Sequence, residues 1–210
     1  MKKLVLFSAL MGLSLAAYAQ NVQLPQPQYD NAKTLMEVLQ QRHTERTFAD
    51  RAITDRDLAT LLWAACGINR PESGKLTVPS AINAQDVQVY VVRKDGAYLY
   101  VPKEHLLQQV SKDDLRAAVA GRQAFAAKAP LSLVLVSNHA KFGNMPAEAA
   151  GRMGVVDCGY VSQNICLTCA ALGLNTVPRA TMDTQALKKA LNLGDECDLV
   201  MNHQVGYPEK

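Results

Sequence analysis

The sequence predicts an α+β fold in which a mixed, mainly antiparallel sheet is flanked by helices. Two β-rich runs, Val87–Arg93 and residues 97–101, bracket Lys94-Asp95-Gly96, and such runs around an Asp-Gly turn are a strong hairpin signal. Val155, Cys158, Val161, Ile165, Cys169 and Leu172 recur at helical spacing over residues 154–172, the longest periodic segment of the chain. The order of elements is helix-rich around that central hairpin, whereas a doubly wound fold would alternate strand and helix from the start.

Taken in order, the first nineteen residues stand outside this fold. Lys2 and Lys3 precede an uncharged, mostly apolar stretch from Leu4 to Ala16, and Ala17-Tyr18-Ala19 places small residues where signal peptidase needs them. The apolar run is shorter than the roughly 20 residues that span a bilayer. The expectation is a signal peptide over residues 1–19 and an exported, periplasmic protein with no stable membrane insertion. Residues 20–32, with Pro25, Pro27 and repeated Gln and Asn, read as an extended tether. Residues 33–210 then suit one domain, large enough to build its own core.

Within that domain, Leu35, Val38 and Leu39 sit at helical spacing and lead into Arg42-His43-Thr44-Glu45-Arg46. Thr54 is placed as an N-cap with Asp57 three residues on; Leu58, Leu61, Leu62 and Ala65 form an apolar stripe, and Gly67 stops the helix. Residues 68–86 read as a loop with Pro71, Gly74 and Pro79. After the hairpin come helical stretches near 103–110 and 113–128, and a buried strand at 131–136, a continuous apolar run after Pro130. Gly173 caps the long helix; a strand near 174–178, a helix near 184–192 and a strand near 198–205 finish the chain.

Composition narrows the function. The formal charge of +3 includes the two lysines of the leader, so the mature chain is near neutral, unlike a nucleic-acid binder with its basic face. No G-x-S-x-G elbow, P-loop or G-x-G-x-x-G after a strand occurs. His43, His105, His139 and His203 are scattered without metal-ligand spacing. Cys166 and Cys169 have thiol-redox spacing, but they lie in mid-helix, far from the helix N-terminus that would stabilise a thiolate. With Cys158 they fall within about 80° on one helical face, as apolar core cysteines do.

Two polar clusters remain. Arg42, Thr44 and Arg46 offer two cations and a hydroxyl that could hold a phosphate, or form an ordinary solvated basic helix end. Pro79-Ser80-Ala81-Ile82-Asn83-Ala84-Gln85 holds the donors and acceptors that a heteroaromatic ring edge needs, or is a polar turn into the hairpin.

Together these segments resemble the nitroreductase family over about residues 33–208. The run 42–48 looks like the family's R-x-S-x-R-x-F-type opening, with Thr44 in the serine place, and 61–70 like the helix and loop that follow. Residues 79–85 resemble the P-S-x-x-N-x-Q segment. Asp157-Cys158-Gly159, Gln163-Asn164 and 171–174 resemble the long core helix, and Val205-Gly206-Tyr207-Pro208 the V-G-Y-P terminus. Five such motifs in the family's order are specific.

The resemblance implies an FMN-dependent nitroreductase-like fold, with Arg42, His43, Thr44 and Arg46 at the flavin phosphate and ribityl chain, and Pro79, Ser80, Ala81 and Asn83 at the flavin. It places the backbone around Arg179 and Ala180 near the reactive ring, although 178–182 lacks the family's usual glycine and aromatic. It leaves Lys210 as the only basic residue after G-Y-P for the phosphate. The implied activity is ping-pong transfer of hydride or electrons from a reduced donor, through FMN, to a small electron-poor acceptor such as a nitroaromatic or quinone. No side chain need act as an obligatory acid or base. The implied assembly is a homodimer with a flavin cleft shared between subunits. NAD(P)H is the family's donor, but outside the cytoplasm a quinol or a partner protein would have to replace it. Two other readings stand beside this one: a flavin-binding or sensing protein without turnover, and a thiol oxidoreductase using Cys166 and Cys169.

Overall fold

A computed structural model describes residues 21–30 and 33–209. The expected leader at 1–19 and Lys210 lie outside the described residues.

The stretch read as a tether is extended, but it is docked. Asn21–Gln23 (β1) pairs antiparallel with a later strand, Leu24 is buried, and the Gln28 amide donates to Thr60 Oγ1 at 2.9 Å. Leu35–Gln41 (α1) starts in a capping box: Thr34 Oγ1 accepts from the Glu37 amide while the Glu37 carboxylate accepts from the Thr34 amide. Only Val38 of its apolar positions is buried; Leu35 and Leu39 face outward. Asp55–Cys66 (α2) is capped by Thr54, and its stripe of Leu58, Leu61, Leu62 and Ala65 is buried throughout. Gly67 ends α2 as expected, yet at φ −73°, so no left-handed backbone is involved. Close approach explains the glycine, since a Cβ there would fall 2.5 Å from Trp63 Cδ1.

The predicted 68–86 loop contains a small ribbon, Ile68–Arg70 (β2) with Lys75–Leu76 (β3), and a 3-10 turn at Ala81–Asn83. The hairpin is present as Val87–Arg93 (β4) and Gly96–Val101 (β5), with Gly96 at φ +140° where a side chain would be strained. The helix expected near 103–110 is instead a strand, Leu106–Ser111 (β6). Leu106, Leu107 and Val110 fit either period; pairing with β5 on one side and β1 on the other decides for the strand. The next helical stretch is broken into Arg116–Ala120 (α3) and a 3-10 turn, Ala124–Lys128. Leu131–Asn138 (β7), Ala147–Leu172 (α4), Asn175–Arg179 (β8), Thr184–Ala190 (α5) and Cys197–Gly206 (β9) follow. Gly173 caps α4 in the left-handed region, φ 70°.

The sheet has seven strands in the order β1-β6-β5-β4-β7-β9-β8, and each of its pairings is antiparallel. Helices cover both faces. Leu133 and Leu135 of β7 join Leu61, Leu62, Val161 and Ile165 under α2 and α4, while Val134 and Val136 join Val119 and Leu187 under α3 and α5. The continuous apolar run of β7 is thus one central strand feeding two cores by its alternation. Each fully buried Leu or Val contributes roughly 1.5–3 kcal/mol, so β7 anchors both layers. α4 meets the sheet through Gly154, where a Cβ would lie 2.1 Å from Ser137 Oγ. Val155, expected on the inner stripe, is about 100° further round and 58% exposed.

Candidate functional site

The basic cluster is not helical. α1 stops at Gln41, and Arg42 leaves it at ψ 119°. The chain then runs extended beside β8, with the Glu45 amide donating to Thr176 O at 3.0 Å and Asn175 Nδ2 donating to Thr47 O at 2.9 Å. Four residues of separation therefore do not put Arg42 and Arg46 on one helical face. Phe48 anchors the far end, buried against Gly206, where a Cβ would come within 2.9 Å of its ring. Between these anchors His43, Thr44 and Arg46 are exposed and Arg42 is half-buried.

Glu45, the obvious counterion, is occupied locally. Its carboxylate accepts from the Arg46 amide at 2.7 Å and from Thr47 Oγ1 at 3.3 Å, and the Arg46 amide holds it below its usual carboxylate range. Among the described residues neither Arg42 nor Arg46 forms an ion pair. Two unneutralised guanidinium groups around an exposed hydroxyl suit a phosphate, which would accept charge-assisted hydrogen bonds from all three.

The second cluster is a strained loop. Ile82, Asn83 and Gln85 all have positive φ, at 50°, 57° and 50°. Such backbone is uncommon outside glycine and persists only when its surroundings impose it. Here Ser80 Oγ accepts from the Gln85 amide at 2.9 Å, Gln85 Nε2 donates to Gly74 O at 3.0 Å, and the Ala81 amide donates to Asp157 Oδ2 of α4 at 2.9 Å. The result is an outward-facing tip: Pro79, Ile82 and Asn83 are exposed, while Ser80 and Ala81 are half-buried.

The two clusters lie beside α4 at different heights. Arg42 acts on Cys166, whereas Ala81 is bonded to Asp157, nine residues or roughly 14 Å earlier along the helix. The third expected element is placed by its backbone, and its arginine side chain points away from the surface. Arg179 turns inward: Nε donates to Gln123 Oε1 at 2.6 Å, Nη1 to Val119 O, Asn202 Oδ1 and Gln204 Oε1, and Nη2 to Ala120 O at 2.7 Å. Its side chain is buried and bonded at all three nitrogens, so the backbone here and the exposed Ala180 are what remain for a ligand.

The nitroreductase family profile matches residues 39–207, which spans both clusters and the sheet between them. The chain belongs to the nitroreductase family. A crystal structure from Ralstonia eutropha, named for the nitroreductases, is 31% identical and covers 90% of each chain with a TM-score of 0.85. A Methanocaldococcus jannaschii protein of the same naming is 28% identical over 80% of this chain and 88% of its own. A Clostridium difficile nitroreductase described as FMN-dependent shares the fold at 16% identity, with a TM-score of 0.58 over 83% of this chain and 88% of that one. The predicted nitroreductase-like fold is therefore the observed one, and the family is one of flavin-dependent oxidoreductases.

The thiol alternative loses its chemistry in the structure. All five cysteines are buried and unpaired. Burial pushes the thiols of Cys166 and Cys169 above their usual range, and Arg42 only partly opposes this at Cys166. Residues that sequence reasoning did not single out for a role are Asp86, Ser137 and Asp157, all buried behind the 79–85 loop. A signal was present for one of them: Asp157 is the only charged residue between Arg152 and Arg179.

Proposed function

We propose that this nitroreductase-family chain is an FMN-dependent oxidoreductase that passes hydride or electrons from a reduced donor to a small electron-poor acceptor, a quinone or nitroaromatic. The observation that carries this reading is the pair of unneutralised guanidinium groups, Arg42 and Arg46, around the Thr44 hydroxyl on a segment whose own carboxylate is bonded elsewhere. Those three groups would hold the FMN phosphate. Ser80, Ala81 and Asn83, on an outward tip fixed by its own hydrogen bonds, would meet the ring edge, and the 179–180 backbone would approach it. Bound FMN supplies the redox chemistry; the protein binds, orients and excludes water.

A second copy of the chain completes the reading. Among the described residues, the exposed large hydrophobic ones fall in two groups, Tyr29, Leu35, Met36 and Leu39 at α1, and Ile82, Val155, Val156 and Tyr160 at the strained loop and the outer face of α4. A homodimer that covers them would also bring the phosphate cluster of one protomer towards the ring-binding loop of its partner. The family's usual donor is NAD(P)H; export by the expected signal peptide would require a quinol or protein donor instead.

The visible spectrum of the purified protein, with the released chromophore identified, is the first test, followed by steady-state reduction of a quinone. A colourless protein that fails to take up FMN would overturn the proposal. A yellow protein without turnover on any donor would leave a flavin sensor.

A further inference from the structure

Behind the strained loop lie two carboxyl groups with too few donors. Asp86, at the entry to β4, is fully buried. Ser137 Oγ donates to its Oδ2 at 2.5 Å, and its Oδ1 has no hydrogen-bond donor from any described residue. Asp157, also buried, comes from α4 and faces Asp86, accepting the Ala81 amide on Oδ2. The other groups facing the pair are neutral. Cys158 is next to both, its thiol pushed up by burial first and by the two carboxyls second, and Cys66 lies behind it. Among the described residues no Arg, Lys or His pairs with either carboxylate. Two ionised carboxylates side by side without a cation are unfavourable at this burial, and a proton on one turns the repulsion into a hydrogen bond.

We infer that Asp157 carries a proton that it donates to Asp86 Oδ1, and that this proton fastens the start of β4, with the 80–85 loop before it, to α4 and lets them loosen when Asp157 ionises. The proton satisfies the orphaned Asp86 Oδ1; the Ala81 amide on Asp157 Oδ2 favours the ionised carboxylate, so it opposes the effect and is kept in both states. Gly154 makes the arrangement possible, because any side chain there would displace Ser137 and press on Asp86. The loop so held has left-handed backbone at three non-glycine residues, and a segment with that much local strain depends on its outside anchors. Both aspartates are positioning residues: neither is exposed to a ligand, and both act through the stretch of loop that joins Ala81 to Asp86.

The direction of the pH effect follows. Burial first, and then the neighbouring Asp86, push the Asp157 carboxyl up from 3.8 to about 6, against the Ala81 amide, which pulls it down. Between those values only the folded protein carries the proton. The stabilisation is therefore complete below 3.8, falls as pH rises through about 6, and is gone above it. Loosening of the loop at neutral pH weakens whatever the loop binds; that this is FMN rests on the function proposed above.

The test uses the purified full-length protein between about pH 4.5 and 8.5. Thermal melting and hydrogen exchange of peptides covering residues 80–85 are measured for wild type, Asp157→Asn, Asp86→Asn and Ser137→Ala. In Asp157→Asn the amide oxygen still accepts from Ala81 and the amide N–H supplies the donor that Asp86 Oδ1 lacks, so the protonated state is imitated at every pH. Wild type should lose several degrees of Tm as pH rises from 4.5 to about 6 and little from this pair beyond it, with the loop exchanging faster than the change in intrinsic rate. Asp157→Asn should lose that slope and protect the loop at high pH, and Asp86→Asn should do the same with the roles exchanged if the first variant folds poorly. Ser137→Ala, which removes a donor to the ionised pair, should move the midpoint to higher pH. Parallel melting profiles for wild type and both amide variants would overturn the inference. FMN retention across the same pH range is a separate arm: if the protein takes up no FMN at any pH, the proposed function fails while the melting and exchange results still judge the pair.

Discussion

Two buried charge sites, one on each face of the same sheet, are handled in opposite ways. Under α3, Arg179 is a cation without a carboxylate, yet its guanidinium reaches five oxygens, from Gln123, Val119, Ala120, Asn202 and Gln204. Two of these are the last carbonyls of α3, which a helix leaves without partners and which carry the negative end of its dipole. Under α4, Asp86 and Asp157 have a hydroxyl and one backbone amide between them, with Asp86 Oδ1 buried and left without a partner. What separates the two is the supply of partners. A guanidinium surrounded by acceptors needs no counter-charge and stays fixed at any ordinary pH, whereas carboxylates short of donors must borrow a proton and so respond to pH.

That contrast can be broken or sharpened by substitution, beginning with the largest expected loss. Arg179→Leu strands several oxygens, at about 1–3 kcal/mol each before relaxation and relief of the buried charge, so a net loss of about 3–5 kcal/mol is expected in urea unfolding. Arg179→Lys should recover less than half of it, because an ammonium cannot reach the same fork of acceptors. A leucine variant as stable as wild type would show that the network is incidental.

Gly154→Ala should cost about 1–3 kcal/mol by forcing α4 away from Ser137, and should disturb the carboxyl pair while leaving Arg179 alone. Chemical denaturation at pH 5 and pH 8 checks this, with an equal loss at both values counting against a link to the pair. Cys166→Ala with Cys169→Ala should cost about 1–2 kcal/mol in packing but keep both flavin and turnover. Loss of activity in a variant that is still folded and yellow would revive the thiol reading.

The smallest effect on stability, within about 0.5 kcal/mol, is expected for the exposed cluster. Arg42→Ala should nevertheless weaken FMN roughly 10- to 150-fold, from about 1.5–3 kcal/mol for one charge-assisted hydrogen bond, while riboflavin binding stays unchanged. Titration of wild type and variant with both ligands decides it. Equal FMN affinity would make Arg42 a solvated residue at a helix end.

Much of this molecule was legible in its sequence because the signals were local or strongly periodic. The β4–β5 hairpin follows from one Asp-Gly turn, the central strand β7 from a continuous apolar run, and α2 from apolar spacing between caps. α4 follows from apolar spacing up to Gly173, although it begins at Ala147, seven residues before the periodic segment. The two polar clusters were legible as segments. Their geometry was not: Arg42–Arg46 continues a helical pattern, yet the chain turns out of α1 because Glu45 finds a backbone partner in Thr176, 131 residues later by number. Likewise 106–110 fits a helix until β5 and β1 supply partners on both sides.

Sequence alone, then, determined the family, the fold class and the apolar face of α2, since these depend on residue spacing within each element. Only the tertiary structure decided which polar residues are buried together. Arg179 is turned inward because Asn202 and Gln204 of β9 point to its side of the sheet, while His203 between them points to the other and bonds Ser162 and Thr176. Asp86 meets Asp157 because Gly154 lets α4 close on Ser137. Hydrogen bonds of this kind join residues distant in sequence, and their strength depends on how many donors and acceptors packing brings to one place.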